Sequence, residues 1–82
     1  MGNGSNGSHK LSHFGDADFT DFEIKIIRMI CKEYTTNQMA NETGRSVRNI
    51  NKYRQKLLVK TGSTSAIGIL RYAIKHQIYE KD

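Results

Sequence analysis

Residues Gly44–Gly62 read GRSVRNINKYRQKLLVKTG, and this stretch decides the fold. Its apolar residues Ile50, Tyr53 and Leu57 recur at helical spacing and cluster on one side of a helical wheel. A helix of this kind buries its apolar side against other elements of a small domain. The stretch therefore predicts a long helix with one face turned toward a core.

The opposite side of this predicted helix is polar and basic. The stretch carries six basic residues and no acidic one, whereas the whole chain has a formal net charge of only +5. Solvated helix faces usually mix both signs, so an unmixed basic face indicates a polyanionic partner. Five residues fan across this side of the wheel: Arg48, Asn51, Lys52, Gln55 and Lys56.

The size and composition of the chain argue against an enzyme. At 82 residues it forms one small domain, which leaves little room for a deep catalytic cleft. No nucleophile–base pair, metal cluster or phosphate loop occurs in the sequence, so we predict no catalytic residue, cofactor or metal. His9, His13 and His76 are too scattered for a metal site. Cys31 lies in an apolar helical run and is predicted to be a buried small hydrophobic residue.

The N-terminal segment differs in composition from the rest of the chain. Residues 1–10, MGNGSNGSHK, are mostly Gly, Ser and Asn, which cannot bury enough apolar surface to order themselves. We predict a flexible linker or expression tail over residues 1–18 and a folded domain over residues 19–82. No segment resembles a signal peptide or a membrane span, which favours a cytoplasmic protein.

Two capping boxes predict the starts of the first two helices. Thr20 and Glu23 form the first box, so the first helix should begin at Asp21. Thr35 and Gln38 form the second box and open a short helix. In a capping box each side chain satisfies a backbone N–H group of the other residue.

Glycine and serine residues predict the remaining helix boundaries. Gly44 supplies a left-handed cap for the short second helix, and Ser46 is the N-cap of the basic third helix. The third helix runs to about Lys60 and is closed by Gly62, and a fourth helix extends from Ser63–Ser65 to about Gln77. The tight turn at Gly44 gives helix-turn-helix geometry. We therefore predict an all-α fold, a four-helix bundle containing a helix-turn-helix.

Several short motifs recur at fixed spacing between Phe19 and Tyr79, and together they resemble the LuxR-type helix-turn-helix domain. This is the DNA-binding module at the C-terminus of many bacterial response regulators and quorum sensors. The segment IIRMI matches the position of the family's hydrophobic first helix. The segment TTNQMA matches the position at which the family has a Ser-Asn-Lys-Glu-Ile-Ala type of sequence. Other matching positions are Phe19, Thr20, Glu23, Ser46, Ile50, Leu57, Lys60 and Gly62.

Four positions depart from the family pattern. Thr43 and Arg45 stand where the family usually carries Leu and Ile. Asn49 replaces Thr, and Tyr53 stands where His is common. The turn between the second and third helices is therefore expected to be less apolar than in the family.

The resemblance implies sequence-specific binding of double-stranded DNA by the output domain of a bacterial transcriptional regulator. The third helix would lie in the major groove, where Asn51, Lys52 and Gln55 would reach base edges. The residues implied to contact phosphates are Thr36, Arg48, Asn49, Lys56 and Lys60.

The fourth helix carries apolar residues on two separate arcs, and a small domain can bury only one of them. Ala66, Ile69, Leu70 and Ala73 form one arc, whereas Ile67, Ile74 and Ile78 form the other beside Arg71. The fourth helix is the dimer contact in the family, so the resemblance implies a weak homodimer on DNA. Its interface residues would be Ile67, Arg71 and Ile74.

The resemblance also implies other partners and leaves two rival interpretations. The full-length protein would carry an N-terminal receiver or sensor domain and would contact RNA polymerase, with no membrane partner. One rival is the promoter-binding region-four domain of sigma factors, which shares the capped helices and the basic recognition helix. The other rival is a helical protein-interaction module whose basic face binds an acidic protein.

Overall fold

The computed structural model describes residues 10–80, in which a short β-hairpin precedes four helices. All four predicted helices are present, and the short second helix is joined to the long third helix by a tight turn. The elements are β1 (Leu11–Phe14), β2 (Ala17–Thr20), α1 (Asp21–Cys31), α2 (Thr36–Thr43), α3 (Val47–Thr61) and α4 (Ala66–Lys75).

The hairpin shows that the predicted all-α fold class is wrong, because the domain mixes α-helices with a two-stranded antiparallel sheet. Leu11 pairs with Thr20 at one end of the register, and Phe14 pairs with Ala17 at the other. The strands are joined at Gly15, whose φ is 66°. A glycine with positive φ at the first position of a two-residue loop is typical of β-hairpin turns. The sequence analysis had placed this glycine in the flexible segment predicted over residues 1–18.

The hairpin is anchored to the helices through its aromatic residues. Phe19 is fully buried, and its ring lies 6.1 Å from that of Tyr72 on α4. The Tyr72 hydroxyl donates a hydrogen bond to the carbonyl oxygen of Phe14. A Cβ atom on Gly15 would lie 2.5 Å from Tyr72 Oη, so the turn fits closely against α4. The predicted boundary between linker and domain at residue 19 therefore falls inside the hairpin, while residues 1–9 lie outside the described residues.

The helix boundaries follow the capping residues. Both capping boxes are present, with Thr20 and Thr35 as N-caps, and α1 begins at Asp21 as predicted. Ser46 caps α3 through a hydrogen bond from the backbone N–H of Asn49 to its hydroxyl, at 3.0 Å. The glycine that follows α2 and the one that follows α3 have φ values of 69° and 64°, the left-handed conformation expected of a C-cap. The predicted limits of α2 and α3 are thus confirmed to within a residue.

The core lies where α1 packs against α4 and α3. Its largest fully buried side chains come from β2 and all four helices, and α1 contributes Ile26 and Ile27. Ile78, which sequence analysis placed on the outer arc of α4, belongs to this core because the helix ends at Lys75 and the chain then turns at Gln77, with φ 62°. Between residues 10 and 80, no helix combines the length and apolar character that crossing a membrane requires.

Candidate nucleic-acid interface

The position of α3 is fixed by its apolar face. Ile50 and Leu57 lie two turns apart on this helix, and both are fully buried in the core. Their burial holds the helix in one rotation, so the opposite face points to solvent. The helix packs against α2 across the tight turn at Gly44, which is the arrangement of a helix-turn-helix.

The three predicted base-reading residues, Asn51, Lys52 and Gln55, are exposed together on the outer face of α3. Gln55 lies four residues after Asn51 and three after Lys52, a spacing that makes its side chain a neighbour of both. Arg48 is also exposed and stands one turn before them. The structure therefore brings these four residues together on one accessible surface.

A shallow cavity of about 380 Å³ runs along the flank of this surface. Asn49, Lys52, Tyr53 and Lys56 line it, so every lining residue carries a polar group. Two ammonium groups beside an amide and a phenol hydroxyl suit an anionic ligand. The cavity joins Asn49 and Lys56, two predicted phosphate contacts, to the base-reading face.

A buried carboxylate of α1, Glu23, lies beside α3. Sequence analysis identified it only as a capping residue. Glu23 is fully buried, and its Oε1 accepts hydrogen bonds from the Thr20 backbone N–H at 2.8 Å and from Lys60 Nζ at 2.9 Å. Lys56 Nζ lies 3.3 Å from Oε2 as a second ion pair. Lys60 Nζ also donates to the carbonyl oxygen of Asp18 at 2.7 Å. Glu23 thus joins the hairpin and the start of α1 to the second half of α3.

These contacts set the protonation state of Glu23. Burial by itself raises the pKa of this carboxyl group, because a low-dielectric environment disfavours the charged form. The hydrogen bonds from Lys60 and from the Thr20 backbone, together with the ion pair to Lys56, outweigh that effect, so the pKa of Glu23 is lowered below its ordinary value of 4.5. Glu23 is therefore a carboxylate at neutral pH and pairs with both lysines.

The structure disfavours the predicted phosphate contact of Lys60. The Lys60 side chain is 27% exposed, and its ammonium group is already hydrogen-bonded to Glu23 and Asp18. Sequence spacing places Lys60 on α3 but cannot show that its amine points toward α1. Lys56 differs, because its side chain is 58% exposed and keeps a single ion-pair partner among the described residues.

The remaining cations of the segment make no ion pair within residues 10–80. Arg45, Arg48, Lys52 and Arg54 have no carboxylate within ion-pair distance in this part of the chain. Their charges therefore remain available to a polyanion. Thr36, the other predicted phosphate contact, is half-buried at the start of α2 and lies outside the face of α3.

Arg45 is a member of this surface that sequence analysis did not assign to the site. Its guanidinium carbon lies 4.2 Å above the centre of the Phe22 ring and 5.7 Å from that of Tyr53. The two rings meet edge to face, with centroids 4.9 Å apart. A cation–π contact at an exposed position contributes about 0.5–1 kcal/mol. Arg45 and Tyr53 both depart from the family pattern. That was the sequence signal for this contact, since the two residues belong to one cluster in the fold.

The predicted dimer residues lie on α4, and each is exposed. Ile67 and Ile74 have exposed fractions of 65% and 44%, and Arg71 lies between them in the sequence. The inner arc is buried at Ile69 and Ala73, whereas Ile78 of the predicted outer arc is buried in the core, so the exposed arc is shorter than predicted. An exposed isoleucine pair seven residues apart is an apolar patch without a partner in the described part of the chain.

Cys31 is buried, as predicted. Burial raises the pKa of the Cys31 thiol to about 11, because the apolar surroundings disfavour a thiolate. At neutral pH this side chain is therefore a protonated thiol packed in the core, and it contributes no reactive group to the surface.

Comparison with known proteins relates the chain to a response regulator. It shows weak homology to the response regulator Rre1 of Synechocystis sp., with 32% identity over 63 residues. These residues make up 77% of this chain and 27% of Rre1, so the chain spans about a quarter of its relative. No protein-family model matches the chain. No solved structure matches it either.

Proposed function

We propose that the chain is a LuxR-type helix-turn-helix domain that binds double-stranded DNA sequence-specifically as the output domain of a bacterial transcriptional regulator. In this proposal the domain has no catalytic activity and acts in the cytoplasm. The homology to a response regulator supports a receiver domain elsewhere in the full-length protein. RNA polymerase would be a further partner of the full-length protein.

The observation that carries this proposal is the outer face of α3. Ile50 and Leu57 anchor the helix, and its exposed side presents cations and carboxamides with no carboxylate among them. An α-helix fits the major groove of B-DNA, where lysine donates to guanine and asparagine or glutamine pairs with adenine. This combination of shape and hydrogen-bonding groups supports duplex DNA as the ligand.

The exposed residues divide into two roles under this proposal. Asn51, Lys52 and Gln55 stand at the middle of the face and would read base edges. Arg48 and Lys56 flank them and would hold the phosphate backbone, which sets the position of the helix in the groove. Thr36 and Asn49 would add hydrogen bonds to phosphates, whereas Lys60 is left out because its amine is held by Glu23.

Replacement of a base-reading residue should change sequence preference more than overall affinity. Lys52→Ala or Gln55→Ala should cost about 1–3 kcal/mol on the preferred site and little on random duplex, because a direct contact to a base is lost. Arg48→Ala should instead weaken all duplexes alike. The measurement is selection of bound sites from a random duplex pool, followed by titration of each variant on the selected site and on random DNA.

The control for that experiment is Lys32→Ala, which removes an exposed cation at the C-terminal end of α1, outside α3. This variant should keep both affinity and preference close to those of the parent. Equal losses of affinity for the selected site and for random DNA in Lys52→Ala and Gln55→Ala would show that another face reads the bases. Absence of binding to any duplex at low salt would favour a protein-interaction module instead.

A second prediction concerns assembly on DNA through α4. The patch of Ile67, Arg71 and Ile74 is too small for a stable interface in solution, so the free domain should be a monomer at micromolar concentration. Two domains on an inverted repeat, with half-sites about one helical turn apart, would pair through this patch. Ile67→Asp should keep single half-site binding but lose cooperative occupation of the full site.

Sedimentation of free and DNA-bound protein measures this assembly. Leu11→Asp is a suitable control, because Leu11 is also an exposed apolar residue but lies on β1, outside both α3 and the patch. Cooperativity that survives Ile67→Asp would place the dimer contact elsewhere. Binding that remains monomeric and requires polymerase would favour the sigma-factor interpretation.

A further inference from the structure

Arg45 occupies a position from which it can organise the start of α3. It lies in the turn between α2 and α3, directly before the N-cap residue Ser46. Its guanidinium carbon lies over the ring of Phe22 on α1 and near that of Tyr53 on α3, so the side chain bridges two helices. An apolar residue at this position could cover the same ring, but it would offer no side-chain hydrogen-bond donor to Asn49.

The guanidinium also makes one directed hydrogen bond. Arg45 Nη1 donates to the side-chain oxygen of Asn49 at 3.2 Å. The Asn49 backbone N–H is already bonded to the Ser46 hydroxyl. Because a guanidinium N–H can pair only with the carboxamide oxygen, this bond fixes which end of the Asn49 amide faces Arg45 and leaves its NH₂ donors for a ligand. Asn49 lines the cavity that it shares with Lys52 and Lys56.

We propose that Arg45 is a positioning residue of the DNA-binding face, which orients Asn49 so that its NH₂ group donates to a backbone phosphate. This inference rests on the proposed function, because the phosphate is that of duplex DNA. Phosphate oxygens accept hydrogen bonds, so an asparagine side chain presenting its donors suits them and one presenting its oxygen does not. Arginine can cover a ring with one face of its guanidinium and donate hydrogen bonds from the edge of that group at the same time, which lysine cannot.

An alternative role for Arg45 is direct contact with a phosphate, and the two roles differ in measurable ways. A residue that neutralises a phosphate releases a counterion, so its removal shallows the salt dependence of binding by about one unit. A residue that acts through the neutral side chain of Asn49 leaves that slope unchanged. Its effect should also disappear once Asn49 itself has been removed.

The test is a double-mutant cycle of Arg45→Met and Asn49→Ala, with binding to a short random duplex measured over a range of salt concentrations. Methionine keeps an apolar contact with Phe22 but cannot donate to Asn49. Each single variant should bind about 3- to 10-fold more weakly, as expected for one hydrogen bond. The double variant should bind no more weakly than the weaker-binding single variant. Its binding should show the same salt slope as that of the parent.

Two results of the cycle would overturn the positioning role of Arg45. One is a double variant whose fold-loss of affinity equals the product of the fold-losses of the two single variants. The other is a salt slope that becomes shallower by about one in Arg45→Met. Parent-like binding by Arg45→Met also rejects the inference and leaves the proposed function intact. Failure of the parent to bind any duplex rejects both together.

A measurement on the free protein tests the orientation of Asn49 without DNA. In ¹⁵N-resolved NMR spectra the Asn49 side-chain NH₂ should be as ordered as the backbone of α3 in the parent. It should shift and become mobile in Arg45→Met. The backbone resonances in the same spectra report whether the variant remains folded. A mobile Asn49 side chain in the folded parent would overturn the inference.

Discussion

Raising the salt concentration from about 50 to 200 mM should weaken binding of this domain to a random duplex by roughly 10²- to 10³-fold. The reason is counterion release, since about four to six phosphates should be neutralised and the log-log slope should be about −4 to −5. The unpaired cations Arg48, Lys52 and Arg54 provide the charge, and Lys56 adds to it from its exposed position. Fluorescence anisotropy with a labelled duplex measures the slope.

Two variants calibrate the salt titration. Arg48→Ala should shallow the slope by about one, because one phosphate contact is lost. Lys32→Ala should leave the slope unchanged, because Lys32 lies at the end of α1 and not on α3. A flat response of the parent to salt would contradict DNA binding through the basic face.

Glu23→Gln should lower the free energy of unfolding by about 2–3 kcal/mol, the second large effect expected from the structure. The substitution keeps a hydrogen-bond acceptor for the Thr20 N–H but removes the charge that pairs with Lys60 and Lys56. Breaking a buried pair is costly, although the part-exposed lysines regain some solvation and reduce the loss. Urea unfolding followed by circular dichroism measures the difference.

Glu42→Gln is the matched control for this substitution. Glu42 is exposed on α2 and has no ion-pair partner among residues 10–80, so its replacement should change stability by less than about 0.5 kcal/mol. Equal stability of the two variants would show that the Glu23 pairs contribute nothing to folding.

The same carboxylate predicts how stability depends on pH. The pKa of Glu23 is lowered in the folded protein, so the folded state binds the proton less readily than the unfolded chain does. The stabilisation is therefore fully present above pH 4.5 and is lost as the pH falls below that value toward the folded pKa. Unfolding measured across this acidic range should show a smaller loss for Glu23→Gln than for the parent.

Much of the interface could be predicted because α3 contains both of the faces that define it. The apolar positions Ile50 and Leu57 fix the rotation of the helix, and the exposed residues Lys52 and Gln55 follow from geometry alone. The direction of a long side chain does not follow in the same way. Lys60 belongs to the same helix, but a carboxylate 37 residues away draws its amine toward the core.

The sequence by itself determined the starts of α1, α2 and α3 and the ends of α2 and α3, because a cap depends on residues within one turn of each other. Thr20 with Glu23, Thr35 with Gln38, and Gly44 each act over at most four residues, and their patterns are visible without a fold.

Only the tertiary structure decided the features that join distant parts of the chain. The β-hairpin is made of two four-residue strands around Gly15-Asp16, a dipeptide typical of hairpin turns, but the first strand, LSHF, does not alternate apolar and polar residues. It is held through contacts such as that of Tyr72 with Phe14, 58 residues apart. The burial of Ile78 and the stacking of Arg45 on Phe22 likewise depend on a neighbour that is remote in sequence. Such contacts form only when the whole core has assembled, so no local pattern of residues encodes them.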